Sequence, residues 1–141
     1  MNTYLRNTCS ALLTALIVTT SSVLQASESP EGAQAYIISP NNGETVPRTF
    51  TVKFGLQGMG VAPAGTDKAK TGHHHLLVDV ETLPDMNLPM GKDVKHFGGG
   101  QTETTLTLEP GKHTLQLILG DKSHTPHNPP VVSEKIIITV K

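Results

Sequence analysis

From Ala33 to the last residue, Lys141, the chain never sustains the apolar spacing of a helix. Short runs rich in β-branched residues alternate with glycine and proline, which number 13 and 10 in 141 residues. This pattern predicts a first strand over residues 33–39 (AQAYIIS) and a turn in PNNGETVPR, where Asn42-Gly43 supplies positive φ. A second strand follows over 49–56, with Phe50, Val52 and Phe54 on one face. Further strands are predicted over 73–81 (HHHLLVDVE), 102–108 (TETTLTL), 112–120 (KHTLQLILG) and 133–141 (SEKIIITVK). The expected fold class is all-β, an immunoglobulin-like antiparallel β-sandwich of about six to seven strands. Residues 57–72, 82–101 and 121–131 are left as long connections, the kind that usually carry function.

The N-terminal region has a different composition. Arg6, the apolar stretch ALLTALIVTT and the small-residue end SSVLQAS have the grammar of a secretory signal peptide, expected over residues 1–26. Residues 27–141 are then expected to form one sandwich domain in a bacterial periplasm or outside the cell. The single cysteine, Cys9, falls in the leader, which leaves no disulfide framework and no thiolate metal site. The net charge is −1 with no basic run, so nucleic acid is not expected as a partner. Aromatics make up 4% and tryptophan is absent, which argues against a stacking platform for sugars. After leader removal, a monomer without a membrane anchor is expected.

Seven histidines are the anomaly in this composition, and three of them are consecutive in TGHHHLLVDV. In immunoglobulin-like topology the segments around residues 73–75, 96 and 121–127 reach the same pole, whereas His113 belongs to the other. Period two places His73 and His75 on one face of their strand and His74 on the other, with Leu76. The first candidate metal ligands are therefore His73, His75, His96 and His124. His74, His127, Asp121 and Met59 are secondary or supporting candidates. Imidazole nitrogens suit copper or zinc, and Met59, Met86 and Met90 in loops make copper the more interesting ion.

Other readings stay open. Each histidine can instead serve as a structural hydrogen bonder. The same pole can be a module that contacts a periplasmic protein or envelope polymer, with its histidines tuning the interaction by pH. A metal-dependent hydrolase is a further class, but no catalytic residue is indicated, and the expectation is a binding domain rather than an enzyme. The glycines of HFGGGQTET are read as a bulge or irregular lead into a strand rather than a phosphate cradle, with Gln101 and Glu103 in reach of neighbouring imidazoles.

The phrases AYIISPNNGETV, VKFGLQGMGVAPAG, TGHHHLLVD, HFGGGQTET, HTLQLILGDKSHTPHNPPV and SEKIIITV, in that order, resemble a family of exported bacterial domains. That family is catalogued as a domain of unknown function, number 4399 (DUF4399). The resemblance implies a small secreted β domain and no particular activity. The opening SP-x-x-G-x-x-V is also similar to many immunoglobulin-like bacterial modules, among them small periplasmic copper carriers.

Overall fold

The computed structural model describes residues 25–141. The expected leader, including Cys9, lies almost entirely outside the described residues. Nine strands follow in order: β1 (Gln34–Ser39), β2 (Thr45–Val46), β3 (Thr49–Gln57), β4 (Gly60–Val61), β5 (Thr71–Val78), β6 (Lys95–His96), β7 (Glu103–Thr107), β8 (Gly111–Gly120) and β9 (Ile136–Val140). Six are the anticipated long strands. β2, β4 and β6 are two-residue additions that no periodicity argument can detect.

One sheet has the order β1-β3-β7, and the other β2-β9-β8-β5-β4, with β6 also pairing β5. Assigning A, B, E, F, G and C to β1, β3, β7, β8, β9 and β5 gives an A-B-E sheet facing a G-F-C sheet. That is the immunoglobulin-like arrangement. All pairings among the long strands are antiparallel. β2 lies parallel to β9, and β4 parallel to β5.

The main core fills the space between the sheets. Phe50, Val52 and Phe54 of β3 face Leu76 of β5, Leu115, Leu117 and Leu119 of β8, and Ile138 of β9. Each fully buried side chain of this kind stabilises the fold by roughly 1.5–3 kcal/mol. β3 shows the expected alternation of buried and exposed residues. β5 does not: residues 72–77 are all buried. A second cluster explains the difference, because Leu77, Ile118 and Val94 pack on the outer face of the larger sheet with Met86 and Met90. Residues from the connection between β5 and β6 thus cover the face that would otherwise meet water, and a strand buried on both faces reads as a continuous run.

The edges of two predicted strands move. β5 begins at Thr71 and stops at Val78, because Asp79 turns left-handed (φ 57°) and accepts a hydrogen bond from the Thr114 amide at 2.8 Å. β9 begins at Ile136 rather than Ser133. Ser133 instead bridges to β8, where its hydroxyl accepts from the Leu117 amide at 2.8 Å.

Candidate metal centre

Four imidazoles converge at one end of the larger sheet. β5 contributes His73 and His75 from its outer face, the face that also carries Leu77. The β5–β8 ladder sets His73 opposite Gly120 and His75 opposite Ile118, while the β5–β6 pairing sets His96 directly opposite His75. His124 arrives from the connection after β8. One potential ligand atom from each of the four lies within 4.8 Å of all the others. The His73 Nε2 to His124 Nδ1 distance is 3.0 Å, a hydrogen bond in which one ring donates and the other accepts. Ring centroids stand 4.7 Å apart for His73–His75, 5.0 Å for His75–His96 and 4.5 Å for His96–His124.

A tetrahedral ion with nitrogen bonds of about 2.0–2.1 Å needs ligand separations of about 3.3–3.4 Å, and a square-planar one needs diagonals of about 4 Å. The four rings are within side-chain adjustment of either geometry, so they can hold an ion.

Local structure clears room for these rings. A Cβ on Gly120 would stand 2.6 Å from Cε1 of His75 and 2.9 Å from Cε of Met90, so only glycine lets His75 lie against β8. A Cβ on Gly98 would stand 2.3 Å from Cε1 of His96. The HFGGG run therefore has a steric reason beyond a simple bulge: Gly98 makes space for the imidazole two residues earlier. Gly100 takes φ 79° and closes a turn on the Phe97 carbonyl. Neither Gly98 nor Gly120 is singled out by residue chemistry. The signal available in the sequence was a glycine two residues after one candidate ligand and a glycine closing the strand across from the others.

His124 holds a left-handed backbone (φ 67°), which costs a non-glycine residue energy and recurs where side-chain placement matters. Its amide donates to the Asp121 carbonyl at 3.0 Å, and its carbonyl accepts from the Met90 amide at 2.9 Å. A shallow cavity of about 320 Å³ opens over the cluster, lined by His75, Met90, Gly91, Lys92, Val94, His96 and His124.

Burial and mutual repulsion hold His73, His75 and His96 neutral. Burial lowers His73 to about 4, helped by the neighbouring His124 and His96 and opposed by Asp121. His75 falls to about 3, first through burial and then through His73, His96 and His124. His96 is lowered in the same way, by burial and by His124. Neutral imidazoles present the lone pairs that coordination requires without competition from protons at neutral pH. The Nδ1 atoms of His73 and His75 are buried without a hydrogen-bond partner.

The supporting candidates face other partners. His74 turns into the main core, with its ring centroid 5.3 Å from that of Phe54 and neither nitrogen paired. Burial lowers it to about 4. His127 is buried and bonds through Nε2 to the Thr71 carbonyl at 3.2 Å. Met59 packs against the main core. Asp121 approaches His73 electrostatically, but its carboxylate is taken up by the Ser27 amide and hydroxyl and by the Ser123 and Thr125 amides. Burial alone would raise this carboxyl; those donors outweigh burial and hold it below the usual carboxylate range. Gln101 is turned to the Gly99 amide at 2.9 Å, away from a role in orienting imidazoles. His113, at the far pole, bonds Asp79 at 2.7 Å and the Glu109 carbonyl at 2.8 Å.

The family model described as "Domain of unknown function (DUF4399)" matches residues 52–141, a span that takes in all seven histidines. No curated protein and no solved structure matches the chain. The chain belongs to the DUF4399 family.

Proposed function

We propose that this member of the DUF4399 family is an exported, non-catalytic domain that binds one transition-metal ion, copper or zinc, through His73, His75, His96 and His124. The observation that carries the reading is the meeting of four mutually close imidazoles from three separate chain segments at one end of the fold. Two further features support it. Burial and crowding keep His73 and His75 neutral near pH 7, and glycines stand where a side chain would displace His75 or His96. Together these costs are hard to account for by packing alone, since apolar residues of similar size would fill the same space without orphaned ring nitrogens.

Titration of the purified protein with copper(II) and with zinc(II) tests this. One equivalent should bind tightly, and His73→Ala and His124→Ala should each weaken binding more than about 100-fold, beyond the loss typical of a supporting residue. Nitrogen hyperfine splitting in the copper(II) spectrum should report the imidazole donors. Binding no tighter than that of the doubly substituted protein would reject the proposal.

A further inference from the structure

The segment that follows the leader is built into the connection that carries His124. The Ser27 carbonyl accepts from the Asn128 amide at 3.0 Å, and the Ser29 amide donates to the Asn128 carbonyl at 3.1 Å. The Ser29 hydroxyl donates to the Pro129 carbonyl at 2.6 Å. At the head of this strap, the Ser27 amide and hydroxyl both donate to Oδ2 of Asp121, at 3.1 and 3.0 Å. The other carboxylate oxygen accepts the Ser123 and Thr125 amides at 2.9 and 3.1 Å and so shapes the turn around His124.

Asp121 is only 3% exposed. Its four hydrogen bonds offset burial, yet among the described residues the negative charge itself faces no cation. Neither a lysine nor an arginine among them pairs with it: Lys122, next in sequence, reaches Asp67 instead. One of the two donors to Oδ2 is the Ser27 backbone nitrogen, which follows Ala26, a small residue at the end of the leader-like sequence.

We propose that the Ala26–Ser27 bond is a processing site, and that the α-ammonium released on Ser27 is the missing counter-ion of Asp121. The step is a hydrolysis catalysed by an export peptidase. Water adds across the amide: its hydroxyl goes to the Ala26 carbonyl carbon and its proton to the Ser27 nitrogen as the C–N bond breaks. The new Ala26 carboxylic acid then releases its proton and the Ser27 amine takes one up to become the ammonium, with no change of oxidation state. An amide that donated one hydrogen bond becomes a cation with three donors, and a contact charged on the acceptor alone becomes an ion pair. Cleavage one residue to either side would move the amino group about 3.8 Å along the chain and lose the pair. Leader removal thereby tightens the turn that holds His124. The inference stands whether or not the histidines take a metal.

The test starts from the full chain, exported with its own leader. Intact mass should place Ser27 first. A second chain with Thr-Asn inserted between Ala26 and Ser27 keeps the cleavage sequence but buries an amide where the ammonium belongs. Its thermal midpoint should fall by about 4 °C, and Asp121→Asn should erase the gap between the two forms. If Asp121→Asn does not accumulate, selective acetylation of the wild-type amino terminus should reproduce the fall. A chain that begins at another residue, or a midpoint unmoved by both extension and acetylation, overturns the proposal.

Discussion

The two poles of the sandwich use the same residue type in opposite ways. At one, His113 faces the Asp79 carboxylate and the Glu109 carbonyl, which favour its protonated form and raise it above its ordinary value. At the other, His73, His75, His96 and His124 chiefly face one another, and burial with mutual repulsion disfavours the proton on His73, His75 and His96. A histidine's role is therefore set by its neighbours. Paired with a carboxylate it acts as a surface ion pair; surrounded by its own kind it becomes a bank of neutral donors.

Acid separates the poles most sharply. His73, His74 and His75 titrate near 6.5 when unfolded but at about 4, 4 and 3 in the fold. Below pH 6.5 the unfolded chain takes up protons that the native one refuses. Stability should hold above that pH and fall through the window down to the folded values. Unfolding free energies from urea titrations of the metal-free protein at pH 7 and pH 4.5 should differ by on the order of 6 kcal/mol, roughly 2 for each of the three histidines. His74→Leu should remove about a third of that difference and leave metal affinity intact. A flat profile in the parent protein would remove the contrast between the poles.

A smaller effect sharpens it. Gly98→Ala places a methyl where the His96 ring lies, yet His96 is exposed and can swing away. Metal affinity should drop by at least about tenfold, because a ligand itself is pushed aside, while the melting temperature stays within about a degree or two. Equal affinity, measured by competition with a chelator, would show that His96 is not a ligand.

The smallest effect belongs to the opposite pole. The raised His113 contributes stability that is fully present below pH 6.5 and is lost as pH rises through its folded value, the reverse of the buried histidines. His113→Gln should cost under about 1 kcal/mol, because Asp79 is about half exposed. That cost should shrink as the buffer is made alkaline, and metal binding should not change. A loss of metal affinity in His113→Gln would mean that the poles are coupled through β8.

Much of this arrangement was legible in the residues themselves. Alternating Phe50, Val52 and Phe54 and the leucines of β8 announced strands, and their immunoglobulin-like order then brought remote histidines to one end. Period two also separated His74 from His73 and His75. The two-residue strand that sets His96 opposite His75 was not legible, because two residues carry no period. Nor was the second layer over β5, which depends on how residues 82–94 fold back onto Leu77 and Ile118. The same blindness covers the bonds the supporting residues make. A carboxylate or thioether close in topology looked available for an ion, whereas Asp121 is occupied by four donors and Met59 by the core.

The pairing of β6 with β5 also gives the cluster a direction. His73 and His75 are sealed in the fold at 1% exposure each, His124 is half-buried, and His96 sits on an exposed strand two residues long. Peeling that short strand from its neighbour breaks few backbone bonds and leaves both sheets intact. A guest held by all four rings would therefore arrive and depart past His96, and its residence time would be governed by a local edge motion, not by unfolding of the body beneath.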